Sequence, residues 1–209
     1  MHGTVPRKIV RLVGDLIRHP QYISRCLHHN VINGRTPLDL EIPWFSYSAV
    51  DFLRHFLLPH MSVFEYGSGG STLFFGRRVN SVLSVEDNAA WFERVSNRLE
   101  TESIRNVCLK LFPFDFKNPE GFEKSEYLRA IEGRRFDVII IDGSEEWIHV
   151  RPICFEKAER YVAPGGIIVV DDSWRYPELR QKNCARRHQL FQSVGPCRPG
   201  VTSTDVFFY

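Results

Sequence analysis

The sharpest change of hydrophobic rhythm in the chain falls within residues 61–86, MSVFEYGSGGSTLFFGRRVNSVLSVE. Positions 61–66 form an apolar run of strand length, and residues 67–71 then strip side chains from the backbone where it must turn. Ser71 and Thr72 suit the first turn of a short helix through Leu73, Phe74 and Phe75. Residues 82–85 make a second apolar strand that ends on Glu86. Two further runs, 136–142 (FDVIIID) and 167–170, are apolar without alternation, the mark of strands buried on both faces of a parallel sheet. Helical spacing appears in 49–58, with Val50, Leu53, Leu57 and Leu58 inward and Pro59 as the stop, and again in 89–100 and 147–162. Residues 106–114 supply a strand between these helices. Residues 116–135 are polar, punctuated by Pro119 and Gly121, and turn helical through Tyr127, Leu128 and Ile131.

At the two ends the pattern changes. Ile9, Val10, Leu12, Val13, Leu16 and Ile17 recur at helical spacing among Arg7, Lys8, Arg11 and Arg18, and Pro20 interrupts a helical stretch that runs over 5–32. Two readings of this segment stand: a helix that caps the domain with solvated arginines, or a basic amphipathic helix lying on an anionic membrane surface or a partner. Gly34 and Pro37 signal a loop, and 41–46 reads as extended. Trp44, Phe45 and Tyr47 suit either a substrate mouth or the core. The tail shows a segment at 188–194, a loop at Gly195, Pro196, Pro199 and Gly200, and a run at 204–209, consistent with two closing strands.

With 209 residues, 43% hydrophobic and 25% charged, the chain fits one globular domain, divided here into a helical extension over 1–43 and a main domain over 44–209. A net charge of +2 creates no strong field, so no nucleic-acid partner is expected. The five cysteines (26, 108, 154, 184 and 197) are odd in number and include no C-x-x-C pair, which argues against a disulfide framework or a zinc ribbon and for a reducing cytoplasm. His28 and His29 lack acid or cysteine neighbours at metal spacing and read as surface imidazoles. No apolar run reaches the roughly 20 residues that a bilayer requires, and no signal-peptide core opens the chain.

The glycine turn carries the candidate chemistry. A dinucleotide fingerprint needs a third glycine at position 72, where this chain has Thr72, and the pyrophosphate reading weakens accordingly. A tight turn without any ligand is the plain alternative. The remaining pattern, E-x-G-x-G-x-S from Glu65 to Ser71, resembles motif I of the class I S-adenosylmethionine (AdoMet) dependent methyltransferases. The P-G-G at 164–166, the acids at 171 and 172, the I-I-D-G-S at 140–144 and the closing T-S-T-x-x-F add to that likeness, which is strongest to a bacterial group of small methyltransferases. The resemblance spans residues 44–209. It implies a Rossmann-like, doubly wound α/β sheet, mostly parallel with a C-terminal antiparallel strand, in the order 3-2-1-4-5-7-6, with helices on both faces and AdoMet as cofactor. It further implies that Gly67, Ser68, Gly69 and Ser71 cradle that cofactor, that Glu65 holds its methionine end, that Glu86 holds its ribose, and that Asp115 meets its adenine.

Glu65, Glu86, Asp115, Asp142, Asp171 and Asp172 all fall at expected strand ends, where open α/β sheets bind ligands. Such a rim suits a cationic sulfonium and ammonium and repels phosphate. Removal of a proton from the acceptor falls to Asp142, Glu145, Glu146 or His149, the last being of the residue type suited to proton transfer near neutral pH, with a helix-surface histidine as the alternative. Asp142, Asp171 and Asp172 also resemble the D…D-N set with which catechol-type O-methyltransferases hold Mg²⁺, although Asp172 replaces the asparagine and no lysine follows Asp142. Otherwise Asp142 contacts cofactor or acceptor, and the Asp171–Asp172 pair caps a helix or orients a substrate hydroxyl. Arg151, Arg175 and Tyr176 suit an acidic or sugar-like acceptor, or ordinary salt bridges. The expected activity is O-methylation of a small molecule or glycan hydroxyl. An NAD or nucleotide-sugar enzyme and a non-catalytic binding module are its rivals.

Overall fold

The computed structural model describes residues 5–32, 35–198 and 200–209, so Gly34 and Pro199, each placed in a loop above, lie outside the described residues. The apolar run before the glycine turn is strand β1 (Ser62–Tyr66), and the run ending on Glu86 is β2 (Ser81–Glu86). Further along are β3 (Val107–Leu111), β4 (Phe136–Ile141), β5 (Val162–Asp171), β6 (Arg187–Val194) and β7 (Val201–Phe208). They form one sheet in the expected order β3-β2-β1-β4-β5-β7-β6. The first five run parallel, and β7 inserts antiparallel between β5 and β6.

The β-branched, unalternating strands divide their side chains between two cores, as a period of two demands. Phe64, Ile139, Ile141, Ile168 and Val170 face one side with Phe155 and Tyr127, whereas Val63, Val138, Ile140, Ile167 and Val169 face the other with Leu53, Phe74 and Phe75. Helix α1 (Val5–Arg18) and the short α2 (Ile23–Leu27) precede the sheet. The first core is covered by α7 (Glu126–Arg129) and α8 (Val150–Ala158), and the second by α4 (Tyr47–Phe56) and α5 (Gly70–Gly76). Helix α6 (Ala89–Thr101) starts on an Asn88 side chain that accepts the Trp91 amide at 3.0 Å.

Three local expectations shift. The loop and extended segment after residue 34 contain a helical turn, α3 (Pro37–Leu40), closed by a reciprocal capping box between Thr36 and Asp39. Four residues are too few for periodicity to reveal, and the T-P-x-D spelling was its signal. The helix expected over 147–162 is confined to α8, and β5 starts at Val162, the last residue of that expected helix, and runs on through the P-G-G at 164–166. The register between β4 and β5 slips from Phe136↔Val162 to Val138↔Ile167, and Gly165 takes φ 81° to accommodate the extra residues. Phe45 and Tyr47 belong to the core, at 0% and 1% exposure, while Trp44 stays at the surface. Among the described residues no helix is long and apolar enough to cross a membrane.

Candidate active site

Strand order reverses between β1 and β4, and the loops leaving β1, β2 and β4 open there onto a cavity of about 440 Å³. The glycine turn forms its floor. Gly67 takes φ +91°, and a Cβ there would lie 2.7 Å from the Asp142 carbonyl oxygen, so both dihedral and space demand glycine. The turn is held from both sides: the Gly67 amide donates to Val85 O at 2.9 Å and the Asp142 amide to Tyr66 O at 3.0 Å. Trp91, reached by the first turn of α6, donates its indole N–H to Ser68 O at 2.7 Å and lays its ring beside Gly69.

Glu86 closes one wall. Its Oε2 accepts the Ser68 hydroxyl at 2.5 Å, and its Oε1 accepts the Asn88 amide at 3.0 Å and the Asp87 amide at 3.2 Å. Burial raises its pKa against those bonds. Asp87 beside it is pushed up to about 6 by burial and by the Glu86 carboxylate. Phe114 supplies an apolar wall, and Asp142, Gly143, Ser144 and Glu146 complete the far side.

Asp142 sits on the end of β4 against a buried cation. The Arg151 guanidinium lies 3.0 Å from Asp142 Oδ1 and donates to Gly143 O at 2.9 Å and to Asp171 O at 2.7 Å, lacing the ends of β4 and β5 together. Burial pushes Asp142 up to about 6, although Arg151 opposes the shift. Asp171 is buried and accepts the Thr204 hydroxyl at 2.7 Å. Asp172 is partly buried, yet Arg198 at 2.9 Å and the Thr202 hydroxyl at 2.6 Å hold it down to about 2. Each of the three acids expected to hold Mg²⁺ thus has its own partner, and no group of three metal-capable side chains exists among the described residues.

Of the residues singled out from sequence, Gly67, Ser68, Glu86 and Asp142 line this one cavity, and Glu146 joins them. Gly69 lies under Trp91, and Ser71 is buried within α5. Glu65 stands behind the turn: its Oε2 accepts the Thr72 hydroxyl at 2.6 Å and the Ser84 hydroxyl at 2.9 Å, and its Oε1 has no hydrogen-bond partner among the described residues. Asp115 is exposed and accepts the Lys117 amide. His149 is exposed, with its ring centroid 5.4 Å from that of Trp147, and lines no part of the cavity. Arg175 pairs with Glu145, and the Tyr176 ring is buried in the core. Sequence reasoning missed Asp87, Asn88, Trp91 and Phe114. The Asn88 cap was the available sign that Trp91 begins a helix pointed at the turn.

Burial raises the Glu65 pKa from 4.5 to about 7, with the Thr72 and Ser84 hydroxyls opposing. A raised carboxyl pKa stabilises the fold fully below pH 4.5, and that contribution disappears as pH rises through about 7. The shift corresponds to about 3 kcal/mol. Denaturant unfolding between pH 5 and pH 8 is therefore expected to show stability falling more steeply in wild type than in Glu65→Gln, whose remaining fall comes from the raised carboxyls of Asp87 and Asp142. Parallel curves would remove this role for Glu65.

No family model and no curated protein matches the chain. Solved structures do. A Klebsiella pneumoniae protein assigned provisionally as an O-methyltransferase is 16% identical, with 97% of this chain and 98% of that chain covered and a TM-score of 0.62. The O-methyltransferase TomG of Streptomyces achromogenes, involved in tomaymycin synthesis and solved with AdoMet, is 14% identical over 96% of this chain and 97% of that chain, at a TM-score of 0.62. An rRNA methylase from Streptococcus thermophilus is 17% identical over 76% of this chain and 92% of that chain, at a TM-score of 0.56. The fold is that of the class I AdoMet-dependent methyltransferases.

Proposed function

We propose that the protein is an AdoMet-dependent methyltransferase that acts on an oxygen of a small molecule or glycan. The observation that carries this reading is the pairing, in one cavity, of a side-chain-free turn at Gly67 with the buried Glu86 carboxylate at the end of β2. A ribose presents two adjacent hydroxyl donors, and a carboxylate at that strand end accepts both. The other acids on the rim, Asp87, Asp142 and Glu146, favour a cationic ligand and disfavour a pyrophosphate, which speaks against NAD. O-methyltransferases among the similar folds, TomG included, support the choice of oxygen.

When bound, AdoMet supplies an electrophilic methyl group on a cationic sulfur. The protein aligns the acceptor and takes its proton. Gly67 and Ser68 admit the cofactor to the backbone, Trp91 braces their turn, and Phe114 offers an apolar surface for the base. Asp142 is the proposed proton acceptor: with its pKa near 6 it is ionised at neutral pH yet basic enough to receive a proton, and Arg151 orients it. Activity is accordingly expected to rise with pH through about 6 and then level. It is also expected to persist in EDTA, because Asp142, Asp171 and Asp172 are each bound to other groups. Loss of turnover in EDTA, restored by Mg²⁺, would return these acids to a metal.

Calorimetric titration of the full chain with AdoMet, S-adenosylhomocysteine and NAD tests the assignment. Binding of the first two with NAD silent is expected. Binding of NAD alone, or of none of them, overturns it.

A further inference from the structure

A second cleft, of about 890 Å³, opens between α1 and the β6–β7 edge of the sheet. Helix α1 divides its sides among three environments. Leu12 and Leu16 pack on Tyr22, Cys26, Tyr47 and Val194, and Ile9, Val13 and Ile17 are exposed. Lys8, Arg11, Asp15 and Arg18, which helical spacing sets on one face, line the cleft. Across from them stand Arg198, Trp44 and Trp174, with the Arg198 guanidinium 5.0 Å from the Trp44 ring centre.

Charge in the cleft is one-sided. Its two carboxylates are committed: Asp15 accepts the Val194 amide at 2.8 Å, and Asp172 holds Arg198 and Thr202. Lys8 and Arg18 are exposed on the cleft face of α1. The opposite holds for the proposed cofactor cavity, whose charged side chains, Glu86, Asp87, Asp142 and Glu146, are all acidic. The two spaces are joined by a continuous run of ion pairs and hydrogen bonds. Asp142 meets Arg151, Arg151 meets the Asp171 carbonyl, and Arg198 reaches both Asp171, at 3.9 Å, and Asp172, at 2.9 Å. Asp142 and Asp172 thus mark the cofactor end and the cleft end of one cluster.

We propose that this cleft is the acceptor subsite and that it takes an acceptor whose anionic group, a phosphate or its equivalent, pairs with the basic face of α1 while an attached ring lies against Trp44 and Trp174. The inference rests on the methyltransferase reading. It separates donor from acceptor by charge: the cation binds where carboxylates converge, and the anion binds where guanidinium and ammonium groups do. Flat indole faces suit aromatic or sugar rings, whose edges and C–H groups pack on them. It also moves acceptor recognition away from Arg151 and Arg175, whose guanidinium groups are engaged by Asp142 and Glu145.

The test uses the full chain saturated with S-adenosylhomocysteine and two probes, phenyl phosphate and the neutral benzyl alcohol, titrated against wild type and the double variant Lys8→Glu/Arg18→Glu. Both positions are on the exposed helix surface, so the variant is expected to fold and to bind S-adenosylhomocysteine as wild type does. Phenyl phosphate is expected to bind at least roughly tenfold more tightly than benzyl alcohol, and the double variant is expected to lose that preference. Equal binding of the two probes, or a preference that survives in the variant, overturns the inference and leaves the enzyme reading standing. Absence of S-adenosylhomocysteine binding to wild type brings down the enzyme reading itself. Co-sedimentation with phosphatidylcholine vesicles, with and without phosphatidylglycerol, identifies the source of the anion. Retention on the anionic vesicles alone, lost in the variant, assigns it to a lipid headgroup beside the exposed Ile9, Val13 and Ile17. Phenyl phosphate binding without retention assigns a soluble acceptor.

Discussion

Glu86→Gln is expected to raise the dissociation constant for AdoMet roughly a hundredfold, the equivalent of about 3 kcal/mol spread over two bonds to a charged acceptor. The glutamine keeps one carbonyl oxygen to receive a backbone amide from residue 87 or 88, so the entry to α6 is preserved better than with alanine. The amide nitrogen, however, is a donor, and it would face the Ser68 hydroxyl, which donates to the carboxylate, and the hydroxyls of the proposed ribose, which would do the same. Folding is expected to change little or to improve slightly, because the buried charge is removed from a site where burial already opposes it. Titration calorimetry beside a thermal melt separates the two effects. An unaltered affinity in a folded variant would take the ribose away from Glu86 and with it the main support for the cofactor.

Gly70→Ala is expected to damage stability more than any other single methyl added to the turn. A Cβ at residue 70 would lie 2.2 Å from Pro37 O and 2.5 Å from Ile42 O, both backbone atoms that no rotamer change can move aside. The segment carrying α3 would have to lift off the start of α5, breaking the seat of Leu38 against Leu73, Val95 and Leu99. Overpacking of this kind costs about 3 kcal/mol, which for a chain of this size lowers the melting temperature by roughly 6–12 °C. Gly69→Ala is the control, since its Cβ would meet only the Trp91 ring at 3.7 Å. Equal melting temperatures for the two variants would show that the N-terminal segment does not depend on Gly70. The second glycine of the pair at 69–70 therefore serves packing between α3 and α5, a role that its place in a ligand-binding motif conceals.

Elements with a long apolar signature were legible in the sequence. Residues 136–141 and 167–170 have no polar alternation because both their faces are covered, and the order of strands followed once the glycine turn had been matched to a family pattern. Short or composite elements were not. The Pro37–Leu40 turn depends on a single capping box, and the start of β5 at Val162 depends on a slip against β4 that no local preference encodes. The acids at strand ends were found as a set, but their fates differ: Glu86 and Asp142 face the cavity, Glu65 turns into the protein, and Asp115 remains at the surface. One residue of displacement along a strand end, or one rotamer, decides among these outcomes.

By itself the sequence determined which stretches are buried on two faces, where the backbone must turn without side chains, and which carboxylates end the strands, because burial period and steric freedom are local properties read within a few residues. Only the tertiary structure decided that Arg151 would be bound to Asp142 and unable to greet a substrate, that Arg198 would be bound to Asp172 beside Trp44, and that a helix at residues 5–18 would lend its basic face to a cleft lined by residues 200–203. Those pairings join positions far apart in the chain, and a charge is free or engaged according to what packing brings within a few ångströms of it, which no spacing along the sequence records.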